Sequence, residues 1–155
     1  MARKAKQVEG HLNIGAISRG QQAYFFENKT FARKIVDLGL GIRWETNDYS
    51  YRIVYPSYPT HTQSSMPKTQ NFPAIASIAY PKSEGLRTYL AMEWLAIDSA
   101  TKELRNYSIR CRSEKSFEKL KSSKDKMLWF SKFSSPRQNN EDATMTCPTG
   151  FTKMS

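Results

Sequence analysis

One segment near the C-terminus combines basic and aromatic residues in a way that has chemical meaning. Between 113 and 132, lysines surround Phe117, Trp129 and Phe130. Single-stranded nucleic acid is held by basic grooves that offer aromatic platforms, and each stacked base contributes roughly 1–3 kcal/mol. We therefore predict a surface that binds a polyanion, either DNA or an acidic polysaccharide, at Lys115, Lys119, Lys121, Lys124 and Lys126.

The same segment also has a simpler interpretation. Aromatic residues in a domain of this size usually belong to the core, and residues 127–130 are equally typical of a buried strand, which would leave the lysines as a solvated face. The whole chain has 24 Lys and Arg against 14 Asp and Glu, a net charge of +10. Such a charge attracts polyanions in a salt-dependent way, but it also keeps a protein soluble, so it does not decide between the two interpretations.

Catalytic signatures are absent from the sequence. It contains no GxSxG, no phosphate-binding glycine loop and no HExxH, and His11 and His61 lie far apart without carboxylates at ligand spacing. With 155 residues, of which 39% are hydrophobic, the chain has the size and composition of one domain with a core of its own. We expect a protein that is not an enzyme and that uses neither a metal nor a cofactor.

Two cysteines, Cys111 and Cys147, allow a single intramolecular pairing. Neither lies in a CxxC motif or at a spacing typical of metal ligands. In an exported protein they would form a disulfide, whereas in a cytosolic protein two inert thiols are equally expected. The residues alone leave both states open.

The element nearest the N-terminus is predicted to be an amphipathic helix over residues 5–27. Apolar residues recur there close to helical spacing, and the predicted stripe consists of Val8, Leu12, Ala16, Ile17, Ala23 and Tyr24. Gly10, Gly15 and Gly20 each cost about 1 kcal/mol relative to Ala, so the helix must rely on tertiary packing. Their small size also allows another backbone to approach closely.

Further along the chain, alternation of apolar and polar residues predicts a sheet. The predicted strands are 49–55, 74–80, 86–97 and 104–111, of which the last two form a hairpin around a polar loop at 98–103. Alternation places Tyr49 and Tyr51 on one face of the first strand, and Leu90, Met92 and Trp94 on one face of the third. A short helix or turn is expected at 31–38, ended by glycines, and a helical turn is expected at 114–121. Segments 56–73 and 134–145 are predicted to be polar loops.

Three motifs in the first 42 residues together resemble the mature region of cyanobacterial type IV pilins, the pilin-like G/H family. They are Asn13-Ile14-Gly15-Ala16, Gln21-Gln22-Ala23-Tyr24-Phe25-Phe26-Glu27 and Leu38-Gly39-Leu40-Gly41-Ile42. The resemblance covers residues 5 to about 55, and it extends more loosely to Cys111 and to Cys-Pro-Thr-Gly-Phe at 147–151. The middle of the chain and the Lys-rich segment show no motif of the family.

The resemblance implies an α+β fold in which a long N-terminal helix packs on an antiparallel sheet of three or four strands. It also implies a disulfide between Cys111 and Cys147 that fastens the C-terminal region. The expected organisation is a single domain, 1–155. Its parts are the C-terminal half of the long helix (1–27), a connecting region (28–48), the sheet (49–112) and the disulfide-bounded region (113–155).

The function that the resemblance implies is that of a major or minor subunit of a type IV pilus, which serves motility, adhesion or DNA uptake. Its partners would be other pilin subunits, bound through an apolar helix that precedes these residues. The sequence would then be a truncated form with an added start Met. The precursor would lie in the inner membrane with its domain in the periplasm, and the assembled pilus would be extracellular.

The resemblance also gives the helix residues an expected role. Gly10, Gly15, Gly20, Val8 and Leu12 would lie in a helix-packing or subunit interface. Two alternatives remain open at this point. One is a pseudopilin of a type II secretion system, which shares the architecture. The other is a nucleic-acid-binding module that uses the Lys-rich surface.

Overall fold

One long helix and five strands make up the described part of the fold. A computed structural model describes residues 2–54, 74–98, 100–117, 147–148 and 150–154. Helix α1 spans Ala2–Asn28, and a short 3-10 helix spans Ile35–Leu38. The strands are β1 (Tyr49–Val54), β2 (Ala74–Pro81), β3 (Tyr89–Ile97), β4 (Leu104–Ser113) and β5 (Phe151–Lys153).

The strands form one antiparallel sheet in the order β1-β2-β3-β4-β5, so every neighbour in the sheet is also a neighbour in the order of strands along the chain. The predicted α+β fold of a long helix on an antiparallel sheet is confirmed. The sheet has five strands, however, rather than the expected three or four. The additional strand is β5, whose three residues are too few to show an alternating pattern in the sequence.

Several smaller predictions differ from the structure or cannot be compared with it. The predicted segment 31–38 is helical only over Ile35–Leu38, and it ends at Gly39 in the left-handed conformation, with φ 64°. Residues 114–117 of the predicted helical turn are not helical. The rest of that turn, the loops at 56–73 and 134–145 and the strand proposed at 127–130 lie outside the described residues.

Apolar side chains are buried on both faces of the sheet. On one face, Ile14 and Ile17 of α1 pack against Tyr49, Tyr51 and other residues of the sheet. The opposite face buries a second cluster along β2, β3, β4 and β5: Ala74, Ala76, Ile78, Leu90, Met92, Trp94, Ala96, Ile109, Cys111 and Phe151. Because successive side chains of a strand point to opposite faces of the sheet, Leu90, Met92 and Trp94 of β3 all lie on this second face, as the sequence predicts.

The C-terminus is fastened to β4 in two ways. Cys111 of β4 is completely buried and forms a disulfide with Cys147, which confirms the pairing expected from the resemblance. Beyond it, β5 pairs with the end of β4, and Met154 donates its backbone N–H to the carbonyl of Arg110 at 2.8 Å. A covalent bond and a short ladder therefore hold residues 147–148 and 150–154 in place.

Candidate functional site

Helix α1 has two faces with opposite environments. Ile14, Ile17 and Gln21 are almost completely buried against the rest of the protein. The prediction that one apolar stripe includes Val8, Leu12 and Ile17 is wrong, because Val8 and Leu12 are 52% and 59% exposed. They lie on the other side of the helix, where they do not pack on the sheet.

The exposed side of α1 carries an apolar stripe of its own. At 100° per residue, the following residues fall on one narrow line along the helix, which we call the outer stripe: Ala5, Val8, Leu12, Ala23 and Phe26. All five are exposed, and Phe26 is 78% exposed. Arg19, the one charged residue on the same line, lies between Leu12 and Ala23 and so divides the stripe into two apolar parts. Exposed apolar side chains that are grouped in this way mark a candidate site of interaction.

Each of the three glycines in α1 lies in close contact with a side chain from another element or loop. A Cβ placed on Gly10 would lie 2.7 Å from Cζ of Tyr49 in β1, and one on Gly20 would lie 3.0 Å from Cδ1 of Leu40. A Cβ on Gly15 would lie 3.0 Å from Nη1 of Arg110 in β4. The glycines therefore let α1 accept side chains at close range, and they lie on the inner side or at the flank of the helix.

The motifs that carry the family resemblance have identifiable packing roles. Asn13 donates from Nδ2 to the Tyr51 hydroxyl at 3.0 Å, and this bond ties α1 to β1. Gln21, which is fully buried, accepts the Ala32 N–H at 2.8 Å and donates to the Ala32 carbonyl at 2.9 Å. Gly39 and Gly41 adopt positive φ of 64° and 70°, which suits glycine. The motifs thus fix the connecting region on the helix.

A buried carboxyl that the sequence reasoning missed lies between α1 and the sheet. Glu93, in the middle of β3, is completely buried, and neither carboxyl oxygen has a hydrogen-bond partner of normal geometry in the described structure. Burial raises the pKa of Glu93 to about 8, although the nearby Ser18 hydroxyl opposes the shift. At neutral pH this side chain is therefore mostly the uncharged acid.

Little of the predicted polyanion site falls within the described residues. Lys115 is exposed directly after β4. Lys119, Lys121, Lys124 and Lys126 lie outside the described residues, and so does His61. His11 of α1 makes an edge-on contact with Tyr89, with ring centroids 5.9 Å apart. Its position is that of a packing residue.

The described part of the chain contains neither a metal-binding cluster nor a membrane-spanning helix. No group of three or more His, Cys, Asp or Glu residues lies close enough to hold a metal ion there. None of the described helices combines the length and the apolar composition needed to cross a membrane. The outer stripe of α1 is therefore the strongest candidate for a functional surface among the described residues.

Comparison with known proteins agrees with the motifs and the fold. The family model described as Type IV pilin-like G and H matches residues 7–148 of this chain. No curated protein and no solved structure matches the chain significantly. The matched region includes most of α1, the first four strands and both cysteines of the disulfide. The chain belongs to the type IV pilin-like G and H family.

Proposed function

We propose that this protein is a structural subunit of an extracellular type IV pilus and that neighbouring subunits pack against the outer stripe of α1. Membership of the family supports a pilin-like structural role and assembly with other pilin subunits. The observation that carries the proposal is the exposed line of apolar residues on the side of α1 that faces away from the sheet.

Burial of the outer stripe would supply a favourable energy for assembly. Val8, Leu12 and Phe26 are all more than half exposed. Fully burying a side chain of this kind contributes about 1.5–3 kcal/mol. The inner side of α1 is already occupied by the domain's own core, so the outer stripe is the part of this helix that can contact a second subunit.

We propose that residues 1–155 act as one domain. We also propose that an apolar helix segment preceding α1 in the complete subunit holds the precursor in the inner membrane, with its domain in the periplasm. We propose that Gly10, Gly15 and Gly20 serve packing within the subunit, whereas Val8 and Leu12 serve packing between subunits. The assembled filament would act in motility, adhesion or DNA uptake.

Protection of thiols in assembled filaments tests the packing between subunits. The substitutions Leu12→Cys and Phe26→Cys each place one additional thiol on the outer stripe, while Arg52→Cys places a thiol on the exposed side of β1 as a matched control. A maleimide reagent should modify all three added thiols in the unassembled protein, but in filaments it should modify the control alone. Equal labelling of the three variants in filaments would rule out the stripe as the interface.

A second candidate function is the binding of a polyanion, and the net charge of +10 favours it. Counterion release makes such binding strongly dependent on salt. The proposed ligand groups remain Lys115, Lys119, Lys121, Lys124 and Lys126, and the ligand would be DNA or an acidic polysaccharide outside the cell. This function is compatible with a filament subunit, since a repeated basic surface would bind a polymer at many points.

A further inference from the structure

Two arginine side chains from different elements converge beside Gly15. The position that a Gly15 Cβ would occupy lies 3.0 Å from Nη1 of Arg110 and 3.4 Å from Nη1 of Arg19. Arg110 belongs to β4, and Arg19 lies one turn beyond Gly15 on α1. The two guanidinium groups therefore lie close together where the helix has no side chain. We call this arrangement the Gly15 site.

The positive charges of the Gly15 site have no acidic partner in the described structure. The ion pairs formed by described residues join Lys6 to Asp48, Lys82 to Glu45 and Arg105 to Asp98, and none of them involves Arg19 or Arg110. No side-chain hydrogen bond of either arginine occurs in the part of the chain that the structure describes. Two like charges held close together repel each other unless an anion lies between them.

Glu93, the fully buried acid of β3, does not supply that anion. Arg110 pairs with Ala91 of β3, and Glu93 pairs with Ser108 of β4. Glu93 and Arg110 therefore lie on the same face of the sheet, and their positions are offset by two residues along the strands. Glu93 is fully buried, and at neutral pH it is mostly protonated because burial raises its pKa to about 8. An uncharged carboxyl contributes no negative charge to the Gly15 site. The site thus retains its two positive charges.

The surroundings extend the positive surface rather than neutralise it. Arg112 lies two residues beyond Arg110 and hence on the same face of β4, and it is exposed. It forms none of the ion pairs found between described residues. Guanidinium groups bind the oxygens of phosphate through parallel N–H donors, and two guanidinium groups can bind different oxygens of one phosphate group.

We infer that Arg19 and Arg110 bind a phosphate group at the Gly15 site. The ligand is either free inorganic phosphate or a phosphodiester of a nucleic-acid strand that runs on over Arg112. Gly15 is required because a methyl group at this position would occupy the space between α1 and the Arg110 guanidinium. This inference does not rest on the role of the protein in a filament, and it concerns the unassembled protein, because Arg19 lies on the line of the outer stripe.

The test follows the arginine Nε–H signals by NMR while inorganic phosphate is added at constant ionic strength. Signals of Arg19 and Arg110 should shift saturably with phosphate and not with chloride. Arg19→Gln and Arg110→Gln should each weaken binding about tenfold or more, since a charge-assisted bond is lost. Arg43→Gln removes an exposed arginine of the connecting region and should leave the affinity unchanged.

Gly15→Ala provides a variant that retains both arginines. It should fold, because Ala is favoured over Gly in a helix and the contacted atoms are the ends of flexible side chains. It should nevertheless bind phosphate more weakly than the parent. The absence of saturable shifts in the parent, or equal affinity in Arg19→Gln, Arg110→Gln and Arg43→Gln, would overturn the inference.

A second arm separates the two sources of phosphate. A short oligothymidylate is titrated into the parent and into Arg110→Gln, with inorganic phosphate as the competitor. Tighter binding of the oligonucleotide than of phosphate, lost in Arg110→Gln, supports a phosphodiester ligand. Binding of inorganic phosphate alone supports the free anion. Oligonucleotide binding that is unchanged in Arg110→Gln, together with no binding of inorganic phosphate, contradicts both.

Discussion

Gly10 of α1 lies directly against the ring of Tyr49 in β1, where a Cβ would come within 2.7 Å of the ring carbon Cζ. Tyr49 cannot easily move aside. It is completely buried, and its hydroxyl donates to the carbonyl of Arg87 at 2.9 Å. The distance between helix and sheet at this point is therefore set by a glycine facing an aromatic ring.

The first prediction concerns this contact. Gly10→Ala should destabilise the protein by about 1–3 kcal/mol, because the added methyl overlaps a fixed ring, even though Ala gains about 1 kcal/mol in helix propensity. Gly20→Ala is the matched control, since its nearest atom is the methyl end of Leu40, which is partly exposed and can rotate. Thermal unfolding of the two variants compares them. If Gly10→Ala is as stable as Gly20→Ala, the Tyr49 ring does not set the distance between α1 and the sheet.

The second prediction concerns the pH dependence of stability. The pKa of Glu93 is about 8 in the folded protein against 4.5 as its ordinary value, so folding binds a proton here. The stabilising contribution is fully present below about pH 4.5 and is lost as the pH rises through about 8. Between these values this group alone lowers the free energy of unfolding by up to about 1.4 kcal/mol per pH unit. Denaturant titrations at several pH values measure how the free energy of unfolding changes with pH.

Glu93→Gln isolates the contribution of that carboxyl. An amide cannot ionise, so the variant should lose less stability between pH 5 and pH 8 than the parent does. Glu27→Gln removes an exposed carboxyl of the same type and should follow the parent. Parallel stability curves for the parent and Glu93→Gln would show that Glu93 is already ionised or solvated in the folded protein.

The third prediction concerns the disulfide. Cys111 and Cys147 are 36 positions apart, and closing such a loop contributes about 4 kcal/mol on the chain-entropy estimate. The double variant Cys111→Ser/Cys147→Ser should therefore unfold at a temperature about 10 °C lower. Differential scanning calorimetry measures the difference, and thiol titration of the parent without reductant should find no free cysteine. An unchanged midpoint would mean that β5 and its contacts hold the C-terminus unaided.

The fourth prediction concerns the Lys-rich segment. If its lysines bind polyanions, the logarithm of the affinity for DNA should fall linearly with the logarithm of the salt concentration. Replacing Lys119, Lys121 and Lys124 by Glu should then weaken binding to every DNA sequence alike. Fluorescence anisotropy with two unrelated oligonucleotides provides the measurement. Unchanged binding by the triple variant at low salt would leave these lysines as a solvated face.

Much of the fold could be predicted from the sequence because its elements are long and regular. The alternation in β1 and in the β3–β4 hairpin correctly placed Tyr49, Tyr51 and Trp94 on their faces of the sheet. Helix α1 was found for the same reason, although it extends to Ala2 and Asn28. In contrast, β5 has three residues, so its position depends on pairing with β4 and not on a local pattern.

The sites were harder to predict. Val8 and Leu12 were placed with Ile17 because all are apolar, whereas the buried face of α1 includes Gly10 and Gln21, which carry no hydrophobic signal. Because Glu93 is charged, its place in an alternating strand would suggest an exposed side chain. It is buried because α1 packs over that face of the sheet. The convergence of Arg19 and Arg110 depends on how α1 crosses β4, which no local pattern specifies.

If subunits pack through the outer stripe of α1, a charged residue on that stripe should keep the chain out of filaments. The most direct measurement is mass spectrometry of filaments sheared from cells that produce the parent protein, Leu12→Asp or the control Arg52→Asp at equal cellular levels. The parent and Arg52→Asp should be found in the filaments, and Leu12→Asp should be strongly depleted. Absence of the parent from filaments, or normal incorporation of Leu12→Asp, would contradict it.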